Sequence, residues 1–157
     1  MADPTDQRTE IRIDRGGLAD LDAITALFQG YLAFYEAPGD HSDARAFLSE
    51  RLTRGESIVF LARVDGAAAG LAQIYPTFSS VSRAPVWTLN DLYVDAEFRR
   101  FGIGRALIRA VAEQARKAGA IRVELSTDET NRSAQALYED EGFVTGQPVR
   151  HYTKDLG

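Results

Sequence analysis

Apolar residues recur at helical spacing in four stretches of the chain, residues 18–35, 43–54, 103–118 and 131–140. In the third stretch the charged residues fall mainly outside the apolar stripe, which is typical of an amphipathic helix packed on a sheet. Asn131 is a favoured N-cap residue at the start of the fourth stretch. The pattern therefore predicts about four helices, the first of them continuous or broken into a pair.

Six other stretches have the composition or the alternation of strands. They are residues 10–14, 57–64, 67–75, 86–94, 121–126 and 149–155. Asp65-Gly66, between the second and the third, is a type I′ hairpin signal. Residues 76–85 are predicted to form a loop. The strand, helix and strand that follow predict a parallel or locally splayed pair joined by a right-handed crossover.

The composition is that of an ordinary globular protein. Its 157 residues, 45% apolar and 26% charged, suit a disordered tail over 1–9 and a single domain over 10–157. The chain has no cysteine, which excludes disulfides, thiolate metal sites and a cysteine nucleophile. No apolar run reaches the length of a membrane span and no apolar signal core is present, so the expected location is the cytoplasm. A net charge of −5 argues against a nucleic-acid surface and is compatible with cationic substrates.

A glycine turn between the strand 86–94 and the helix that follows is the most informative stretch. Gly102 and Gly104 remove side chains that would keep a ligand from the backbone, and the first turn of a helix leaves amide N–H groups without acceptors. Such a turn binds anions, phosphates above all. A dinucleotide fingerprint would need a small residue in place of Leu107, and a P-loop would need a Gly-Lys-Ser/Thr ending, so both fit poorly. A tight strand-to-helix turn without a ligand remains the alternative.

Two motifs identify a family. Residues 99–104, Arg-Arg-Phe-Gly-Ile-Gly, match an Arg/Gln-x-x-Gly-x-Gly/Ala signature, and residues 131–143 match an Asn-x-x-Ala-x-x-Leu-Tyr-x-x-x-Gly-Phe segment. In this order and spacing they resemble the GNAT (Gcn5-related) N-acetyltransferases over about residues 10–155, closest to the branch of Hpa-type and diamine acetyltransferases. The resemblance implies the mixed α/β GNAT fold, in which a central, mostly antiparallel sheet contains a splayed parallel pair formed by its fourth and fifth strands.

The resemblance also implies acetyl-coenzyme A as co-substrate, with no metal. In the family the loop amides hold the pyrophosphate, a backbone amide at the position of Val94 faces the thioester carbonyl, and a tyrosine at the position of Tyr138 protonates the departing thiolate. A phenol, with a pKa near ~10, keeps its proton at neutral pH and can donate it at that step. A core aromatic role is the alternative for Tyr138. The residues implied to contact coenzyme A are Leu92, Tyr93, Val94, Arg99, Arg100, Phe101, Gly102, Ile103, Gly104, Arg105, Asn131, Ser133 and Tyr138.

The catalytic base is less defined by the motifs. Polyamine enzymes of the family place a glutamate where this chain has Asn90, and an amide cannot accept the proton of an ammonium substrate. Asp91 is the adjacent carboxylate, which could act through water, bind a substrate ammonium or serve structure alone, and Glu36 is a second candidate. Alternation places Asn90 and Asp91 on opposite faces unless the strand bulges. The residues expected on the acceptor side are Tyr31, Phe34, Tyr35, Glu36, Ser79, Asn90 and Asp91.

The predicted activity is direct transfer of an acetyl group to a primary amine, since no cysteine is available for a covalent intermediate. A small cationic amine, a polyamine or an amino acid is the expected acceptor. Acetylation of a protein or peptide lysine or N-terminus is an alternative, and so is a non-catalytic acyl-coenzyme A sensor. No nucleic-acid or membrane partner is expected, and the family's common habit leaves a homodimer open.

Overall fold

The computed structural model describes residues 8–37 and 39–157. Its internal contacts divide it into a first unit that ends at Ser126 and a second unit, Thr127–Gly157. Most of the tail expected to be disordered lies outside the described residues, and a single domain over 10–157 stays a prediction.

The first unit contains a five-stranded sheet in the order β1-β2-β3-β4-β5. Its strands are β1 (Ile11–Gly16), β2 (Ile58–Val64), β3 (Ala67–Ser79), β4 (Ala84–Val94) and β5 (Val123–Glu124). The first four pair antiparallel, whereas β5 runs parallel to β4 through Trp87 and Thr88 alone. The mixed sheet with a parallel β4/β5 pair is the predicted fold, and β5 is much shorter than the predicted strand.

The described residues form four helices, as predicted. They are α1 (Leu21–Phe34), α2 (His41–Thr53), α3 (Ile103–Lys117) and, in the second unit, α4 (Arg132–Asp140). A short 3-10 turn, Leu18–Asp20, precedes α1, so the first helical stretch is broken near its start. The Asp40 side chain caps α2 by accepting a hydrogen bond from the Asp43 amide.

The β2–β3 hairpin has the predicted turn, because Asp65 and Gly66 both adopt positive φ, 48° and 84°. The predicted loop over 76–85 is wrong. There β3 and β4 continue to pair as far as Ser79 and Ala84, and only residues 80–83 turn. Beyond Ile74 β2 no longer pairs with β3, so Pro76 lies on an edge of the sheet, where proline is tolerated.

The predicted final strand over 149–155 is also wrong, since these residues have no regular secondary structure. A strand forms only where a second strand accepts its backbone hydrogen bonds. The second unit contains α4 and, in the residues described, no strand that could pair with this segment.

The two faces of the sheet are covered by different helices. Leu71 belongs to a buried cluster with residues of α1 and α2, whereas a Cβ on the preceding Gly70 would contact Ile103 and Leu107 of α3. Successive strand residues point to opposite faces, so α1 and α2 lie on one face and α3 on the other. On the first face, Gly30 of α1 brings the helix backbone against Tyr93, since a Cβ there would lie 2.5 Å from the Tyr93 hydroxyl.

Candidate active site

The glycine turn has the backbone geometry of an anion site. Gly102 is the N-cap of α3 and adopts φ 70° and ψ 25°, a left-handed conformation that residues with a side chain rarely adopt. It supplies no capping side chain, and the first turn of α3 contains no acidic residue. No carboxylate in the first turn of α3 thus neutralises the positive end of the helix dipole.

The side chains around this turn have different placements. Ile103 is 1% exposed and belongs to the core, so only its backbone is available to a ligand. Arg99 donates from Nε to the Val94 carbonyl at 3.3 Å, which ties the turn to the end of β4. Arg100 and Phe101 are exposed, and Arg105 is half-buried.

Within the first unit, the edge of β4 that faces β5 is unpaired next to this turn. In the first unit, as far as it is described, β5 pairs with β4 only at Trp87 and Thr88. No strand of that unit pairs with the same edge from Leu89 to Val94, which includes Leu92, Tyr93 and Val94, three of the residues that the resemblance implies contact coenzyme A. An extended ligand can hydrogen-bond to such an edge as an added strand would.

Strand β4 has a bulge at Asn90 and Asp91, which alternation alone would place on opposite faces of the sheet. Gln73 pairs with Asp91 and Ile74 with Leu89, so Asn90 is the extra residue. The bulge brings the two side chains together, and Asn90 Nδ2 donates to Asp91 Oδ1 at 2.9 Å. Asn90 is exposed, whereas Asp91 is only 3% exposed.

Asp91 lies within a polar cluster on the face covered by α1 and α2. Gln73 Nε2 donates to Asp91 Oδ2 at 2.5 Å. Burial raises the pKa of Tyr31, and so do the charge of Asp91 and hydrogen bonding to it. Burial and the Asp91 charge raise the pKa of Tyr75 to about 12, against an opposing effect of Arg51. Both phenols therefore stay protonated at neutral pH and cannot act as bases there.

Gln73 and Tyr75 were not predicted as site residues. They lie two residues apart on β3 and therefore share a face of the sheet. Gln73 is the one polar side chain in the otherwise apolar run over 67–74, and this was the signal in the sequence that could have found it.

Aromatic side chains continue from this cluster to the surface along α1. The ring of Tyr31 lies 4.9 Å from that of Tyr35, which lies 5.2 Å from that of Phe34. Phe34 and Tyr35 are 59% and 53% exposed. Glu36 follows in a left-handed conformation, φ 52°, and is exposed.

Ser79 lies apart from the Asp91 cluster. Its Oγ accepts a hydrogen bond from the Ser82 amide at 3.1 Å, within the turn of the β3–β4 hairpin. Six residues separate Ser79 from Gln73, which is about 20 Å along a strand. The structure thus joins Tyr31, Asn90 and Asp91 but leaves Ser79 at the far end of the hairpin.

The second unit builds the closing motif around α4. The Asn131 side chain caps this helix by accepting hydrogen bonds from the Ala134 amide at 3.2 Å and the Ser133 hydroxyl at 3.3 Å. Tyr138 is half-buried and its ring lies 5.9 Å from that of Phe143. The predicted N-cap is therefore confirmed.

Three further features of the described residues bear on the function. In residues 8–37 and 39–157, no group of three or more His, Cys, Asp or Glu side chains could hold a metal. Over the same residues, no helix has the length and apolar character needed to cross a bilayer. A surface cleft of about 540 Å³ between β1 and α3, lined in part by Asp14, Arg15 and Glu113, shares no residue with the turn or with the Asp91 cluster.

Comparison with known proteins places these features in context. The model of the Acetyltransferase (GNAT) family matches residues 24–143. The uncharacterized N-acetyltransferase YhfO of Bacillus subtilis is 38% identical over 142 residues, 90% of this chain and 95% of that protein. Aminoglycoside N(6′)-acetyltransferase type 1 of Klebsiella aerogenes is 30% identical over 117 residues, 73% of this chain and 77% of that protein. The structure of AAC(6′)-Iy with the bisubstrate analogue CoA-S-monomethyl-acetylneamine has a TM-score of 0.78 at 25% identity and covers 93% of this chain and 99% of that one.

Proposed function

This chain belongs to the GNAT family of N-acetyltransferases, and we propose that it transfers the acetyl group of acetyl-coenzyme A directly to a primary amine of a small cationic molecule. One observation carries the choice of a cationic acceptor. Asp91 is a buried carboxylate, and no Lys or Arg among the described residues forms an ion pair with it.

A buried carboxylate held only by neutral donors favours the arrival of a cation. Removing a charge from water is costly, and hydrogen bonds from Gln73 and Asn90 offset only part of that cost. A substrate ammonium would supply the missing charge. The exposed faces of Phe34 and Tyr35 would add a weaker cation–π attraction on the approach.

The coenzyme site is proposed on the turn and on the open edge of β4. The amides at the start of α3 fit the pyrophosphate, and the edge of β4 from Leu92 to Val94 fits an extended pantetheine arm. Arg99, Arg100 and Arg105 are the proposed sources of positive charge near the phosphates. The proposed contacts of Asn131 and Ser133 with coenzyme A rest on the motif alone. AAC(6′)-Iy, a structural neighbour, was solved with a coenzyme A bisubstrate analogue, which supports the same co-substrate here.

In the proposed mechanism, a different protein group acts at each step. The neutral amine nitrogen attacks the thioester carbonyl carbon, and the Val94 amide donates to the carbonyl oxygen as negative charge develops there, a contact worth ~3 kcal/mol in other enzymes. The carbon–sulfur bond then breaks, and the Tyr138 hydroxyl gives its proton to the leaving thiolate. Asp91 either takes the proton of the attacking amine through water or holds a second ammonium group of the substrate. Glu36 is kept as the second candidate base.

Release of the coenzyme thiol, measured with a panel of polyamines, amino acids, aminoglycosides and lysine peptides, tests the proposal. We expect turnover with small cationic amines and an increase in rate with pH as the neutral amine fraction grows. If Asp91 holds a second ammonium, Asp91→Asn raises KM for diamines far more than for monoamines. If it is the base, kcat falls for both classes.

Two results would contradict this function. Activity on lysine peptides with none on small amines would favour protein acetylation. Binding of acetyl-coenzyme A without turnover of any amine would favour a sensor.

A further inference from the structure

Gln73 is a polar residue in the core, and folding stability does not explain its presence there. Its side chain is fully buried on β3, directly opposite Asp91, and its amide nitrogen donates to Asp91 Oδ2. Its carbonyl oxygen Oε1 is buried and finds no donor among the described residues. We infer that Gln73 is a positioning residue, which holds the Asp91 carboxylate as an anchor for a primary ammonium group at the non-reacting end of the substrate.

The orientation of the Gln73 amide follows from hydrogen-bond chemistry. A carboxylate oxygen only accepts, so the NH₂ group must face Asp91 and the carbonyl must lie on the other side of the amide. A buried acceptor without a donor lowers stability, and the flanking residues Leu71 and Ile74 show that an apolar side chain suits this part of β3. The only hydrogen bond that the Gln73 side chain makes in the described structure is the one to Asp91.

The two oxygens of Asp91 accept hydrogen bonds from neighbours of different exposure. Oδ2 accepts from fully buried Gln73, whereas Oδ1 accepts from Asn90, which is exposed and lies in the bulge. The hydrogen bond from Gln73 to Oδ2 orients the carboxylate with its other oxygen toward Asn90. Oδ1 is therefore the oxygen that a ligand approaching from that side would contact.

The number of donors already present favours an anchor over a proton acceptor. Gln73 and Asn90 each donate to one of the two oxygens. A carboxylate has about four acceptor positions, so positions remain for the N–H groups of an incoming ammonium. This contact requires an N–H, whereas a purely aromatic site would accept a quaternary ammonium equally well.

The inference rests on the proposed acetyl transfer and can be tested with three matched amines. These are 1,4-diaminobutane, (4-aminobutyl)trimethylammonium and pentylamine, which share one reacting amine and differ at the other end. We expect kcat/KM to fall by about tenfold or more from the first to the second, because a charge-assisted hydrogen bond is lost, and to be lowest for the third.

Gln73→Leu removes the amide and keeps most of the volume. We expect this variant to raise KM for 1,4-diaminobutane about tenfold and to leave KM for pentylamine and both kcat values within about twofold. In an Asp91→Asn background the same change should add nothing, since Gln73 acts through the carboxylate. Gln73→Met serves as a second variant if the leucine variant folds poorly. Leu71→Met, on the same face of β3, is the control for packing alone.

Failure of the inference and failure of the proposed function give different results. Turnover of all three amines with equal kcat/KM would leave the acetyl transfer intact and overturn the ammonium anchor. Equal effects of Gln73→Leu on the diamine and on pentylamine, or additive effects with Asp91→Asn, would assign Gln73 to structure alone. Absence of turnover with every amine would overturn the proposed function, and the inference with it.

Discussion

Gly102 offers a test of the coenzyme site that separates backbone strain from contact with a ligand. Its φ of 70° and ψ of 25° lie in the left-handed region, and a Cβ built on it would meet no atom of the described residues within 4 Å, its two chain neighbours aside. Replacement by a larger residue therefore strains the backbone without a steric clash inside the protein. The new side chain would contact directly any ligand that occupies the space next to Gly102.

The strain can be estimated for two substitutions with opposite properties. Alanine in the left-handed region costs ~1–2 kcal/mol, and 1 kcal/mol lowers the Tm of a domain of this size by roughly 2–4 °C. Asparagine tolerates this conformation better, because its side chain can hydrogen-bond locally, although it is larger. We expect thermal stability to decrease in the order Gly102, Gly102→Asn, Gly102→Ala.

Affinity for coenzyme A should follow a different order. If the pyrophosphate approaches the backbone at Gly102, the larger asparagine displaces it more than alanine does. Loss of one hydrogen bond to a charged phosphate costs ~1.5–3 kcal/mol, which is about 10- to 150-fold in Kd. We expect affinity to decrease in the order Gly102, Gly102→Ala, Gly102→Asn, the reverse of the stability order for the two variants.

Thermal melts and titration calorimetry with coenzyme A, on folded protein at 25 °C, measure the two orders. Gly55→Ala is the control, because Gly55 is also left-handed, φ 65°, has no atom within 4 Å of its Cβ and follows α2 away from the turn. Its strain should lower Tm similarly and leave Kd unchanged. Unchanged Kd in both Gly102 variants, despite lower Tm, would refute a phosphate site at this turn.

Two further predictions concern the tyrosines. Tyr138→Phe removes a proton donor and almost no volume, so kcat should fall ~100-fold with acetyl-coenzyme A affinity little changed; full turnover while chemistry limits the rate would assign the proton to water or another group. Tyrosinate absorbance against pH should show a hydroxyl with a pKa near 12 that is absent from Tyr75→Phe, and Asp91→Asn should lower the pKa of Tyr75 because it removes a negative charge. Since this pKa is raised above its usual value of 10.0, the stability that Tyr75 contributes is present below pH 10 and is lost as the pH rises through about 12, so denaturant melts of Tyr75→Phe should show a weaker loss in that range.

The sequence by itself determined the features that depend on residues close together in the chain. Asp65-Gly66 forms the predicted hairpin because both residues adopt positive φ readily, and Asn131 caps α4 because its side chain reaches an amide three residues on. Gly102 and the amphipathic pattern of α3 predict the turn and the helix for the same reason. The family motifs, which are local as well, lie on these elements.

The tertiary structure decided what depends on strand register. The bulge at Asn90, the pairing of Gln73 with Asp91 and the extension of the β3–β4 hairpin through residues 76–85 all depend on how β3 and β4 pair. Tyr31 joins the same cluster from α1, 60 residues before Asp91 in the sequence. Periodicity predicts which face a residue occupies but not which residue of another strand lies opposite, and a single extra residue changes that relation for all residues beyond it.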